Sequence, residues 1–152
     1  CSSSECRSAF ITDFLRKSST AKYFFYIGRL EEYKGIKVIV DICEKYKFNL
    51  ILVGQGPLYN YKASSNILYL GFVDEVLKFE YMRKAIALVT LGGEREEYGL
   101  TAKEAILVGC KVIALKVGGV IEVVENEKGS FLVESIAELE SVMKKVYENA
   151  EY

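Results

Sequence analysis

The sequence predicts an α/β fold in which a parallel sheet of about six strands is covered by helices on both faces. Short apolar runs of strand length alternate with amphipathic segments of helical length through most of the chain, which is the pattern of repeated strand and helix units. The runs show no alternation of apolar and polar residues, as expected for strands buried on both faces. Glycines and charged residues follow several runs, at the edge where parallel sheets bind ligands.

The six predicted strands are rich in branched and aromatic apolar residues, which favour strands. They are residues 22–27, 49–53, 66–70, 86–90, 111–115 and 129–133. The first run ends at Gly28 and the second at Gly54, so a turn follows each of them. Right-handed crossovers through the intervening helices would assemble these strands into one Rossmann-like sheet.

The predicted helices carry apolar residues at helical spacing. They are residues 36–46, residues 76–84, a segment that begins near Thr101, a short piece through Val124, and residues 136–148. Residues 1–21 are rich in serine and threonine, with one short helical pattern at residues 9–17. We interpret residues 1–21 as a linker or packing arm and residues 22–152 as the domain.

The composition is that of one globular domain. Of the 152 residues, 51% are apolar and 27% charged, and the net charge is −1, so we expect no nucleic-acid partner. No apolar run is long enough to span a membrane and no signal segment opens the chain, so we expect a cytoplasmic protein. The chain has no histidine, which removes the commonest metal ligand and general base, and no metal site is predicted.

Four cysteines show no spacing typical of a metal site or a disulfide framework. Cys43 and Cys110 lie in apolar segments and are predicted to be small core residues. Cys1 and Cys6 lie in the serine-rich start, and the pattern assigns them no role.

The entrance of the helix near Thr101 is the main candidate for a binding site. Free backbone amides at a helix start suit an anion such as a phosphate. Glu96 and Glu104 bracket the turn Tyr98-Gly99-Leu100, and carboxylates beside such a site can bind the hydroxyls of a sugar or ribose. A capping box of Thr101 and Glu104 explains that glutamate without a ligand, and for Glu96 alone a solvated loop charge is favoured.

Arg29 and Lys34 lie in the loop after the first strand. A guanidinium and an ammonium at this position could converge on a diphosphate. The alternative is that both are solvated charges offset by Glu31 and Glu32, and for these residues alone the alternative is favoured.

Two glycine pairs also follow strands. Gly54-x-Gly56 lacks the third glycine of a dinucleotide-binding fingerprint, so a tight turn that passes close to another segment is favoured. Gly118-Gly119 precedes a helical piece with Glu122, and a helix cap explains these glycines as well as a ligand does.

Six segments, in this order, resemble the C-terminal half of the two-domain retaining glycosyltransferases of family four. They are YIGRLEEYKG (residues 26–35), LILVGQGP (50–57), NILYLGFV (66–73), EEYGLTAKEAILVGCKVIA (96–114), GGVIE (118–122) and GSFLV (129–133). The resemblance implies the C-terminal, donor-binding half of the glycosyltransferase B fold. The chain departs from the family at Gly92-Gly93, where a Pro-Ser pair commonly precedes the first glutamate.

The resemblance also implies a role for each matching residue. Arg29 and Lys34 would hold the donor diphosphate and help the nucleotide leave, and Glu96 would lie by the donor sugar. Glu104 would bind the ribose hydroxyls, and the base would pack near the turn Gly71-Phe72-Val73. The implied donor-binding residues are Gly28, Gly54, Gly56, Gly71, Phe72, Val73, Tyr98, Gly99, Leu100, Glu104, Gly118 and Gly119.

The implied activity is hexosyl transfer from a UDP- or GDP-sugar, with retention and without a cofactor or metal. The acceptor, a lipid, glycan or small molecule, would bind an N-terminal domain that is absent from this sequence and acts in cis or trans. By itself the chain would bind donor and transfer little. Two alternatives are a stand-alone nucleotide-binding or regulatory module and a nucleotide-sugar epimerase, although the spacing of Glu96 and Glu104 argues against the epimerase.

Overall fold

The computed structural model describes residues 22–62, 64–91, 100–117 and 120–150. Its strands are β1 (Phe24–Ile27), β2 (Leu50–Val53), β3 (Ile67–Tyr69), β4 (Ala87–Thr90), β5 (Val112–Leu115) and β6 (Phe131–Val133). Its helices are α1 (Ile36–Tyr46), α2 (Glu75–Lys84), α3 (Leu100–Leu107), α4 (Val120–Val124) and α5 (Ile136–Asn149), with a 3-10 turn at Glu32–Lys34. The predicted linker at residues 1–21 lies outside the described residues.

The strands form one parallel sheet in the order β3-β2-β1-β4-β5-β6. Strand β1 pairs on one side with β2, where Phe24 is opposite Leu50, and on the other side with β4, where Phe24 is opposite Ala87. After β1 the chain adds β2 and then β3 on one side of it. It then returns to the other side of β1, where β4, β5 and β6 follow in order. The predicted Rossmann-like α/β fold with six strands is confirmed.

Helices pack on both faces of the sheet. One apolar cluster joins the sheet to α1 and α5, and the other joins it to α2, α3 and α4. In β1, Phe24 and Tyr26 belong to the first cluster and Phe25 to the second. Because successive side chains of a strand point to opposite faces, a strand covered on both sides must be apolar throughout, and this explains the continuous apolar runs.

Among the described residues, none of the helices combines the length and the apolar character that crossing a membrane requires.

Cys43 and Cys110 are buried and free, so the prediction that they are core residues is confirmed. Burial raises the pKa of both thiols, because desolvation disfavours the charged thiolate; the pKa of Cys43 rises strongly and that of Cys110 rises to about 11. Neither thiol is therefore poised for chemistry at neutral pH.

Alkylation should report this burial. The pKa of Cys110 rises from an ordinary 9.0 to about 11, so its thiolate fraction at pH 8 falls roughly 100-fold. In a chain carrying Cys1→Ser and Cys6→Ser, we expect iodoacetamide to react with native Cys110 at least about 100-fold more slowly than in urea, with the native rate rising steadily from pH 8 toward 11. Equal rates in the native and unfolded chains would contradict the burial.

Candidate functional site

The carboxyl ends of β1 and β4 form the point at which the chain connections diverge to opposite halves of the sheet. Gly28 follows β1 and Leu91 follows β4, and β1 and β4 are neighbours. In sheets of this type the diverging loops leave a crevice, and ligands bind there. The loop with Arg29 and Lys34 and the connection from Leu91 to α3 therefore leave the sheet at this point.

The loop after β1 packs directly against the end of β4. Gly35 has a left-handed backbone with φ of 76°, and a Cβ atom built on it would lie 2.9 Å from both Cβ and Cδ1 of Leu91. The turn that carries Lys34 therefore lies beside the residue from which the 92–99 segment departs.

Backbone hydrogen bonds join the loops after β1, β2 and β3. The amide of Gly28 donates to the carbonyl of Val53 at 3.0 Å, and the amide of Gly54 donates to the carbonyl of Gly71 at 2.9 Å. The amide of Leu30 donates to the carbonyl of Gln55 at 3.0 Å. Three glycines predicted to bind the donor thus belong to one continuous rim of backbone.

This rim needs glycine because its segments approach too closely for side chains. A Cβ atom at Gly54 would lie 1.9 Å from the carbonyl oxygen of Gly28, and one at Gly56 would lie 2.6 Å from the carbonyl oxygen of Leu30. The interpretation of Gly54-x-Gly56 as a turn that passes close to another segment is therefore confirmed. The close approach is made to the loop after β1.

A cavity of about 640 Å³ opens at this edge, beyond β2 and β3. Its lining residues are Gln55, Gly56, Tyr59, Leu70, Gly71 and Phe72, of which Gly56, Gly71 and Phe72 were expected at a donor site. Phe72, one of these lining residues, is a large apolar residue that is 69% exposed. Neither Arg29, Lys34 nor Glu104 lines this cavity.

Sequence reasoning missed Tyr59 and Gln55 as lining residues. The hydroxyl of Tyr59 donates to the carbonyl of Tyr69 at 3.2 Å, which holds its ring against the end of β3. Neither residue forms a recognisable pattern in the chain, since each reaches the cavity only through the turn that follows β2.

Arg29 and Lys34 occupy different environments. Arg29 is exposed, and its Nε donates to Glu31 Oε2 at 2.8 Å, as the solvated alternative expected. Lys34 is only 9% exposed, and Glu32 is paired with Lys37 at 2.6 Å. The interpretation of Lys34 as a solvated charge is therefore wrong.

Glu104 lies in the second turn of α3, where it contacts a lysine of the preceding helix. The Nζ atom of Lys78 on α2 donates to Glu104 Oε2 at 3.1 Å. Helix α3 begins at Leu100, so Thr101 lies inside its first turn instead of capping it. Ala102 and Ala105 are buried, and such small side chains let a helix lie close to a sheet.

Part of the predicted site lies outside the described residues. This holds for Glu96, Tyr98, Gly99, Gly118 and Gly119. Leu100, the last residue of the predicted phosphate-binding turn, is the first residue of α3 and is exposed. Val73 immediately precedes Asp74, which caps α2 by accepting a hydrogen bond from the Leu77 amide at 2.9 Å.

A second cavity, of about 490 Å³, lies at the opposite, amino edge of the sheet. Ala85 and Ile86 before β4, Lys111 before β5 and the end of α5 contribute to its lining. We favour the carboxyl edge as the functional site, because the helix starts and the glycine loops lie there.

Within the described ranges, no group of three or more cysteine, aspartate or glutamate side chains could hold a metal ion.

The chain belongs to the glycosyl transferases group 1 family, whose model matches residues 9–152. It is 29% identical over 119 residues to the uncharacterized glycosyltransferase MJ1607 of Methanocaldococcus jannaschii, which covers 70% of this chain and 30% of that protein. The finer assignment to family four stays a prediction.

Solved structures share the fold. The Anabaena protein HepE, solved in complex with UDP and glucose, superposes with a TM-score of 0.72 at 21% identity, over 93% of this chain and 43% of that chain. A UDP-GlcNAc 2-epimerase of M. jannaschii, in complex with UDP-GlcNAc and UDP, gives 0.65 at 17% identity, over 99% of this chain and 43% of that chain. The fold is therefore one Rossmann-like half of the glycosyltransferase B type, and the chain spans less than half of each of these proteins.

Because the backbone approaches Gly54 so closely, we expect a side chain at this position to lower the free energy of unfolding. We expect Gly109→Ala to lower the free energy of unfolding by about 1–2 kcal/mol, the strain of a left-handed backbone, because Gly109 has φ of 85° and no atom within 4 Å of its Cβ position. Gly54→Ala adds a clash with the Gly28 carbonyl, so we expect a loss of roughly 2–5 kcal/mol. Urea unfolding measures both, and equal losses would contradict the contact.

Proposed function

We propose that the chain binds the nucleoside-diphosphate sugar of a retaining glycosyltransferase, a UDP- or GDP-hexose, at the carboxyl edge of its sheet. The observation that carries the proposal is the junction of β1 and β4, where the loop bearing Arg29 and Lys34 packs on Leu91, at the point where sheets of this order bind nucleotides. Family membership supports the reaction class.

The geometry suits a donor that is elongated along the sheet edge. In the proposed arrangement the diphosphate lies over the β1 loop and the start of α3, and the base lies toward Phe72 and the cavity beyond β2 and β3. The loops after β1, β2 and β3 are joined by backbone hydrogen bonds, so the rim between the two ends of the donor is continuous. HepE was solved with UDP and glucose, which favours the same class of ligand for this chain.

The chemistry asked of this half of the enzyme is stabilisation of a leaving group. Negative charge develops on the diphosphate as the bond to the sugar breaks, and preorganised cations and amides aimed at that charge lower the barrier. Lys34 is largely buried, and burial strengthens the interaction of an ammonium group with an anion. Arg29 would give up its contact with the Glu31 carboxylate and bind a phosphate oxygen in its place. With the incoming hydroxyl on the same face, retention needs no dedicated base from this chain.

The acceptor would bind a second domain, in cis or trans, and we propose that acceptor choice belongs to that domain. The cytoplasmic location and transfer without a metal or cofactor stay predictions.

Calorimetric titration of the chain with UDP, GDP and their hexose conjugates tests the proposal. We expect at least one nucleoside diphosphate to bind, with its sugar conjugate binding more tightly. Binding of free nucleotide with no preference for the conjugate would favour the stand-alone nucleotide-binding module. No binding to any of these compounds would overturn the proposal. Incubation of a bound conjugate, followed by analysis of its sugar, separates epimerisation from simple binding.

The cations can be tested by substitution. With the acceptor domain supplied, we expect Arg29→Ala and Lys34→Ala each to reduce turnover at saturating donor by about 10²–10³-fold, or about 2.7–4 kcal/mol of barrier. Lys45→Ala is the matched control, because Lys45 pairs with Glu140 on α5, away from the carboxyl edge. Unaltered turnover in either Arg29→Ala or Lys34→Ala would refute that residue's role.

A further inference from the structure

Lys78 connects the helix that follows the turn Gly71-Phe72-Val73 to Glu104, the carboxylate for which the family resemblance implies a ribose-binding role. It lies in the first turns of α2, which starts just after Gly71-Phe72-Val73. Its Nζ atom donates to Glu104 Oε2 on α3 at 3.1 Å, across 26 positions of sequence. Neither helix makes this contact by itself, since it exists only where α2 and α3 lie side by side on the same face of the sheet.

The environment of Lys78 favours a defined geometry. Its side chain is only 15% exposed, and that of Glu104 is 36% exposed. Glu75 is a more distant partner at 3.7 Å and is 84% exposed, so water screens it strongly. The ring of Phe79 lies 4.5 Å from the Nζ atom, which further restricts the ammonium group. The contact with Glu104 is therefore the dominant polar contact of this lysine.

A fixed carboxylate is what recognition of a diol requires. An ionised carboxylate can accept about four hydrogen bonds through its two oxygens, so the bond at Oε2 leaves acceptor capacity for two neighbouring hydroxyls. Holding one oxygen restricts the rotation of the glutamate side chain, and the ordering cost on binding falls accordingly. Because Lys78 belongs to the helix that follows the turn Gly71-Phe72-Val73, its contact with Glu104 links that helix to α3.

We propose that Lys78 is a positioning residue for nucleoside recognition: it holds the Glu104 carboxylate toward the 2′- and 3′-hydroxyls of the bound nucleoside diphosphate. This inference rests on the function proposed above. It gives α2, which carries no residue of the motif that contains Glu104, an indirect role in selecting ribose, exerted through Glu104.

The test compares each nucleoside diphosphate with its analogue that lacks both ribose hydroxyls. The affinities of UDP, GDP and their 2′,3′-dideoxy forms are measured by calorimetry on the 152-residue chain. For the nucleotide that binds more tightly, we expect Lys78→Met to weaken binding about 10-fold. We expect less than a two-fold change for its dideoxy form, because that ligand has no ribose hydroxyls to donate hydrogen bonds to Glu104.

Two further variants make the result specific. Lys78→Arg keeps the positive charge, and we expect it to recover most of the lost affinity for the hydroxyl-bearing ligand. Lys84→Met is the matched control, since Lys84 is on the same helix and pairs with Glu80 at 3.3 Å, and we expect it to bind as the unaltered chain does. If Lys78→Met unfolds, Lys78→Gln replaces it, and thermal unfolding is measured for every variant.

The outcomes separate this inference from the function on which it rests. Unchanged binding in folded Lys78→Met, or equal losses for the hydroxyl-bearing and dideoxy ligands, overturns the role of Lys78 while leaving the donor site intact. Failure of the unaltered chain to bind UDP, GDP or their dideoxy forms overturns both the donor site and the role of Lys78.

Discussion

The central strand β1 is the constraint on which the rest of the structure depends. It is hydrogen-bonded to β2 on one side and to β4 on the other, and both faces of it are covered by helices. The two halves of the fold are built outward from it in opposite directions. Their connections therefore separate at its carboxyl end, and a crevice forms there because of the topology, whatever side chains surround it.

The rim of that crevice is made mainly of backbone. Gly28, Gly54 and Gly71 are joined by hydrogen bonds from loop to loop, and the distance at Gly54 leaves no space for a side chain. A rim of this kind allows a ligand to approach the main chain closely. It also holds the loops at fixed spacing, which a site of several separated contacts needs.

Charges around the crevice are arranged by contacts between elements. Lys34 is buried against the sheet end while Arg29, five residues earlier, stays exposed beside Glu31. Glu104 is held by Lys78 from the neighbouring helix. A family resemblance assigns roles to these residues one at a time, whereas the structure pairs the carboxylate of Glu104 with a lysine that no motif contains. A UDP-GlcNAc 2-epimerase shares this fold with a TM-score of 0.65, so the fold alone does not identify the reaction. The function has to be inferred from the residues of the site.

The sequence by itself determined the elements and their order. Strands buried on both faces are apolar throughout, and in amphipathic helices an apolar residue recurs every three to four positions. The six strands and the helices between them could therefore be found from local patterns. The strand ends differ from the prediction by one or two residues. Strand β3 covers Ile67–Tyr69 instead of residues 66–70, although the Asn66 carbonyl still accepts from the Leu50 amide and the Leu70 amide still donates to the Leu52 carbonyl.

Only the tertiary structure decided the strand order, the burial of Lys34, the lining of the cavity by Tyr59 and the pairing of Lys78 with Glu104. Each of these joins segments that are distant in sequence, and local spacing carries no information about which helix will lie beside which. These contacts form when the helices pack on the two faces of the sheet. Burial of apolar surface drives that packing, and it determines which helices and loops lie next to each other at the edge of the sheet.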